Sequence, residues 1–245
     1  MRICVMVCAH VAPELEDVLD SYFQLFSRLL GPHLPEAEFT ESPVIDGIFP
    51  ASVEEHDVYV FTGSPHGVYE DLDWIRRAKD FVREAAAAGK VMVGGCFGHQ
   101  LIAQALGGEV AKSDKGWGLG VHAHPVMKRE AWMTGGPDVP NVVVSHQDQV
   151  LTPPEGAVVL AGNAFCPNAM LRIGDRILTL QGHPEMNIPI VDRLLDMREH
   201  KVGAELFAAG KASLATPLDH GALGAWLAGF IRQAFASKGE TAAAE

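Results

Sequence analysis

Residues Arg2 to Ala9 form a nearly unbroken apolar run, which predicts a buried strand ending in the loop His10-Val11-Ala12-Pro13. Beyond it, Leu15, Val18, Leu19, Tyr22, Phe23, Phe26, Leu29 and Leu30 recur at i, i+3, i+4 spacing and predict one amphipathic helix. Glu14, Glu16 and Asp17 fall in its first turn, where the helix dipole favours anions, and Gly31-Pro32 stops it. Val58 to Thr62 reads as a second buried strand, broken at Gly63-Ser64-Pro65. A helix from Asp73 to Ala88 leads through Gly89-Lys90 into the apolar run Val91-Met92-Val93-Gly94-Gly95. Strands alternating with helices in this way predict an α/β fold, a mostly parallel sheet with helices on both faces.

After Gly107-Gly108 the pattern changes. Gly118–Val126, Asn141–Ser145, Val158–Gly162, Met170–Ile173 and Arg176–Gln181 are short apolar segments separated by turn residues, and predict strands that are partly antiparallel. Helical periodicity returns over Ile188–His200, Ala204–Ala209 and Gly221–Ala236. No repeat or linker divides the chain, so residues 1–245 read as one domain, with 238–245 expected to fray.

Composition narrows the function classes. The chain carries 31 Asp+Glu against 19 Lys+Arg, a formal charge of −12, and no basic cluster, which excludes a nucleic-acid partner. No apolar run approaches ~18 residues, so no membrane span is expected. One positive residue before the first apolar run and acidic residues soon after it favour a core strand over a signal peptide, and a cytoplasmic protein. The four cysteines form no CxxC pair, and Cys4, Cys8 and Cys166 read as packing residues. His122-x-His124 would share a strand face but lacks a cysteine or carboxylate complement, so neither metal nor cofactor is expected.

The chemistry concentrates at Val93-Gly94-Gly95-Cys96-Phe97-Gly98-His99-Gln100, where a strand ends in glycines and a helical pattern starts at once. Such a corner exposes its central side chain in a tight turn, and small neighbours let the backbones approach. A cysteine after a strand is most often buried and inert, but mere burial does not require the flanking glycines. A helix N-terminus also favours a thiolate. A cysteine nucleophile needs a base, and the base an orienting acid. Gln181-Gly182-His183-Pro184-Glu185 offers both: His183 follows a predicted strand, and Glu185 can fold back onto the ring nitrogen facing away from the thiol.

Together these motifs resemble the two signatures of class I glutamine amidotransferases, above all the glutaminase part of GMP synthase and its free-standing relatives. Thr62-Gly63-Ser64-Pro65 is similar to the family's oxyanion loop, and Ser145-His146-Gln147-Asp148-Gln149-Val150 to its Ser-His-x-Asp-x-Val segment. Leu106-Gly107-Gly108 and Lys115-Gly116-Trp117-Gly118-Leu119-Gly120 also fit, and the similarity runs in order from Asp57 to Asn187. The resemblance implies a flavodoxin-like sheet and a Cys96, His183, Glu185 triad acting on the γ-amide of glutamine or a γ-glutamyl compound through a thioester. It implies an oxyanion hole from the backbone N–H groups of Phe97 and Ser64, and substrate contacts at Gly63, Gln100, Ser145 and His146. Two departures stand out. Ser64 replaces a glycine, which implies a hole whose shape depends on substrate or partner. Gly182 replaces phenylalanine, which implies a more open wall beside the site. The chain has no GxxxxGK[ST] phosphate loop with which to activate an acceptor. The resemblance thus leaves three roles: a glutaminase feeding a separate synthetase subunit, a free-standing γ-glutamyl peptide or amide hydrolase, and an inactive regulatory module. The intact triad argues against the last.

Overall fold

The computed structural model describes residues 1–242. Its first half runs β1 (Arg2–Met6), α1 (Tyr22–Leu30), β2 (Glu38–Ser42), β3 (Val58–Phe61), α2 (Asp73–Ala87), β4 (Val91–Gly95) and α3 (Phe97–Ala105). Seven strands come next: β5 (Glu109–Lys112), β6 (Gly118–Ala123), β7 (Asn141–His146), β8 (Asp148–Thr152), β9 (Ala157–Ala161), β10 (Met170–Ile173) and β11 (Ile177–Leu180). Helices α4 (Ile188–Asp196), α5 (Glu199–Val202), α6 (Ala204–Ser213) and α7 (His220–Ala242) close the described chain. Of the tail expected to fray, 238–242 instead continue α7, and 243–245 lie outside the described residues.

The main sheet has the order β2-β1-β3-β4-β11-β10-β9. Its first five strands are parallel, and β10 and β9 continue it antiparallel. Side chains alternate between faces along each strand. Ile3, Val5, Val58, Val60, Val91 and Val93 meet α1 and α7 on one face, while Cys4, Met6, Tyr59, Phe61 and Met92 meet α2 and α3 on the other. Burial on both faces is why these strands read as continuous apolar runs. Two antiparallel pairs, β5 with β8 and β6 with β7, stand apart from the main sheet. A bridge from Val143 of β7 to His183 ties the second pair to the end of β11.

The amphipathic stretch 15–30 is not one helix. A 3-10 turn, Pro13–Leu15, precedes α1, and Ser21 interrupts the path with extended backbone (φ −162°) while its hydroxyl accepts from Gln24 N at 3.1 Å. The polar pair Asp20-Ser21 supplies an N-cap in mid-pattern, and capping wins over periodicity. The apolar positions are buried all the same: Leu15, Leu19, Tyr22 and Leu25 pack on Met186, Ile190 and Leu194. Likewise α4 stops at Asp196, short of His200, and α5 is separate. The edge strand β2 is mostly exposed and carries no apolar alternation to announce it.

Candidate active site

Parallel neighbours β3, β4 and β11 end side by side, with Phe61 paired to Gly94 and Leu180 to Gly95. The segments leaving these strands therefore converge: Gly63-Ser64 after β3, Cys96 after β4, and Gln181 to Glu185 after β11. Crevices beyond the carboxyl ends of parallel strands are where α/β sheets place ligands.

Cys96 lies at φ 48°, ψ −102°, the one non-glycine residue with positive φ among those described. Such a conformation costs of order 1–3 kcal/mol and persists only where its surroundings enforce it. Here they do. Cys96 N donates to Leu180 O at 2.8 Å, Gln100 N donates to Cys96 O at 3.1 Å, and Gly98 N donates to Thr62 O at 3.1 Å. The flanking glycines are sterically required. A Cβ on Gly94 would lie 2.6 Å from the Gly98 carbonyl, and one on Gly98 would lie 2.3 Å from Phe61 O.

His183 is fixed by its own amide, which donates to Val143 O at 2.8 Å. Its Nδ1 lies 2.7 Å from Glu185 Oε1, and the Glu185 side chain is fully buried. Burial alone would lower the imidazole's pKa. The charge of a Cys96 thiolate, the Glu185 carboxylate and the hydrogen bonds to both outweigh it, and hold His183 well above the ordinary histidine range. With Nδ1 on the carboxylate, Nε2 is the nitrogen left for the thiol. A Cβ on Gly63 would come within 2.9 Å of the His183 ring and 3.8 Å of Cys96 Cβ, so the absent side chain leaves room for the pair.

Two cavities meet at Cys96. One, of about 260 Å³, is polar: Tyr69, Glu70, Gln100, Lys112 and Asp148 line it. The other, of about 120 Å³, is bounded by Leu15, Tyr22, Met186, Leu194 and Met197, with His183 in its wall. Ser64, Ser145 and Arg198 border both. Gln100 holds its side-chain nitrogen on Asp148 O and Gln181 Oε1, at 2.9 and 3.1 Å. His146 donates from Nδ1 to Asp148 O at 3.0 Å, and burial pushes its pKa down to about 3, so the ring is neutral. Its Nε2 and the Ser145 hydroxyl are buried without a partner among the described residues.

The sequence-derived site residues thus come together, with two adjustments. Ser64 is outside the left-handed region, so serine there carries no such strain. Gly182 does not open the site: it lines a separate small void, and a Cβ there would sit 2.8 Å from the Val142 methyls, so valine occupies the space. His122 packs edge-on against Phe165 and His124 is buried, and the described residues hold no group of three or more potential metal ligands. Four residues at the site were given no role there by the sequence. Gln181 aims Nε2 at Cys96 Sγ at 3.6 Å, Arg198 comes from beyond α4, and Leu15 and Tyr22 come from the segment around the Ser21 cap.

A family model described as "Glutamine amidotransferase class-I" matches residues 38–190. The chain is 37% identical over 186 residues to gamma-glutamyl peptidase 4 of Arabidopsis thaliana, covering 71% of this chain and 73% of that one. It is 33% identical over 135 residues to the glutamine-hydrolyzing GMP synthase subunit of Sulfolobus acidocaldarius, 55% and 70% of the two chains. A glutamine amidotransferase structure from Thermotoga maritima superposes with a TM-score of 0.71 at 18% identity, over 96% of this chain and 97% of that one. No helix among the described residues is long and apolar enough to cross a membrane. The chain belongs to the class-I glutamine amidotransferase family.

Proposed function

We propose that the protein is a free-standing hydrolase that splits γ-glutamyl amides, releasing glutamate and an amine. The observation that carries this reading is the buried Glu185–His183 pair, 2.7 Å apart, set against a strained cysteine at the mouth of two cavities. His183 Nε2 takes the Cys96 thiol proton as Sγ attacks the γ-carbonyl carbon, and the carbonyl oxygen takes the negative charge. The backbone N–H groups of Phe97 and Ser64 receive that oxyanion, and losing one such donor typically costs ~3–4 kcal/mol of barrier. His183 Nε2 protonates the departing nitrogen as the C–N bond breaks, which leaves a thioester. The same nitrogen then takes a proton from water, whose oxygen adds to the thioester carbon, and the C–S bond breaks. Glu185 holds the imidazole in the required tautomer throughout. Gly63, Gln100, Ser145 and His146 hold the glutamyl part.

Similarity to the Arabidopsis gamma-glutamyl peptidases over about seven-tenths of the chain supports this role. Similarity to the archaeal GMP synthase subunit favours a second reading, a glutaminase whose ammonia passes to a separate synthetase. Glutamate release by the purified chain, measured with glutamine and a set of γ-glutamyl amides and dipeptides, separates the two. Turnover without any added protein, abolished in Cys96→Ser, is the expected result. A folded protein inactive on all of them until a co-purifying protein is restored would establish the second reading.

A further inference from the structure

The two cavities at Cys96 differ in chemistry, and His183 decides which holds which half of the substrate. Carboxylates and an ammonium line the larger one, through Glu70, Asp148 and Lys112, and Tyr69 and Gln100 add further polar groups. Those groups complement the ammonium and carboxylate of a glutamyl head. Ala12, Leu15, Tyr22, Met186, Leu194 and Met197 give the smaller one an apolar lining. His183 borders the smaller cavity and is absent from the wall of the larger. The nitrogen that leaves must lie within reach of His183 Nε2, because Nδ1 is held by Glu185. Whatever is bonded to that nitrogen therefore extends into the apolar cavity. At about 120 Å³ this space exceeds what ammonia needs, since a water-sized group occupies roughly 10–15 Å³ of such space.

Arg198 supplies the second half of the recognition. It lies just beyond α4, whose Leu194 lines the apolar cavity, and its Nη1 donates to the Leu194 carbonyl at 3.2 Å. Its guanidinium stacks 5.3 Å from the Trp117 ring centroid, which fixes its position. Burial pulls its pKa down, yet it makes no ion pair with a carboxylate among the described residues, whereas Arg28, Arg77, Arg129, Arg172, Arg193 and Arg232 each have one. Arg198 borders both cavities, and the smaller one has no carboxylate of its own, so on that side its partly buried, stacked guanidinium is arranged to receive one from a ligand. The unpaired Ser145 hydroxyl, in the wall common to both cavities, is a further buried group awaiting a ligand atom near the scissile bond.

We propose that the leaving group is an apolar amino acid with a free α-carboxylate, so that the substrates are γ-glutamyl dipeptides, and that Arg198 is the specificity residue that clasps that carboxylate. This rests on the γ-glutamyl hydrolase reading above and adds the chemistry of the leaving side. The balance is that of a hydrolysis: one water is consumed, the γ-amide C–N bond breaks, and glutamate and the apolar amino acid depart.

The test compares kcat and KM for γ-glutamyl-leucine, γ-glutamyl-aspartate, glutamine and the γ-glutamyl amide of 3-methylbutylamine, which is the leucine compound without its carboxylate. In the wild-type chain γ-glutamyl-leucine is the best of the four, and removing its carboxylate lowers kcat/KM by ~10–100-fold, the value of a hydrogen bond to a charged group. In Arg198→Met the preference for γ-glutamyl-leucine over the carboxylate-free amide collapses by ~10-fold or more, mainly through KM, and Arg198→Lys restores part of it. Equal losses on both substrates in Arg198→Met would overturn the assignment, because Arg198 would then serve the thiol or the glutamyl head. Equal turnover of the aspartate and leucine dipeptides would overturn the apolar leaving side. A preference for glutamine over every dipeptide would overturn the inference while leaving the hydrolase reading intact. Inactivity on all four compounds would remove the hydrolase reading itself.

Discussion

Gly98→Ala tests whether backbone approach, and not side-chain chemistry alone, builds the site. The Cβ it introduces would stand 2.3 Å from Phe61 O, 2.7 Å from Phe61 Cβ and 2.8 Å from Phe61 C, where ordinary contact begins at 3.4 Å. Two of these three atoms are backbone in a central strand paired on both sides, so β3 cannot yield. The start of α3 has to move out by about 1 Å, which also stretches the 3.1 Å bond from Gly98 N to Thr62 O. Cys96 and the Phe97 amide move with it. Overpacking of this kind destabilises by ~1–3 kcal/mol, and a 1 Å misplacement of reacting groups costs ~10²-fold in rate. Urea midpoints and kcat/KM for glutamate release, measured well below both midpoints, read the two effects separately. Gly221→Ala is the control: it sits in the first turn of α7 with nothing within 4 Å of its added Cβ, so stability within ~0.5 kcal/mol of wild type and unaltered kcat/KM are expected. A Gly98→Ala chain with a normal midpoint and kcat/KM within about threefold of wild type would refute the steric reading of the elbow.

Two further outcomes concern the buried titratable groups. Burial pushes the Cys4, Cys8 and Cys166 thiols up to about 11, 12 and 12, so iodoacetamide at neutral pH should label Cys96 alone in the folded chain, and peptide mapping that finds any of the other three modified first would sink the assignment. Acid should destabilise the fold early: burial lowers His99, His124 and His146 to about 3, 4 and 3 from an unfolded value near 6.5, so what they contribute is complete above pH 6.5 and is lost as pH falls towards 4. Each can contribute up to ~1.4 kcal/mol per pH unit within that window, or about 4 for the three. His183 has the opposite sign, its pKa being raised, so its share is complete below pH 6.5 and fades only as pH rises through the folded value. Urea midpoints that stay flat between pH 6.5 and 5 would contradict the neutral burial of the three rings.

The unequal legibility of the site in the sequence has a physical cause. Cys96, His183 and Glu185 are legible because the backbone around them tolerates few residues: Gly94 and Gly98 admit no Cβ, and Glu185 must reach Nδ1 from two positions away. The inner parallel strands β1, β3 and β4 are legible because burial on both faces makes them nearly continuous apolar runs, whereas the exposed parallel edge strand β2 is not. Arg198, Leu15, Tyr22 and Met186 are not legible, because any of them would look the same on an ordinary surface or in an ordinary core. Only the break at Ser21, which turns the predicted long helix into a turn and a shorter helix, swings Leu15 and Tyr22 together over the thiol. The Asp20-Ser21 pair was the available signal, and the strength of the apolar periodicity concealed it. The proposed nucleophile and its base are thus placed by local backbone geometry that a motif can record. The proposed leaving side is assembled from two distant stretches, 12–22 and 186–198, by side chains of common type, so its selectivity can change through substitutions that leave every motif intact.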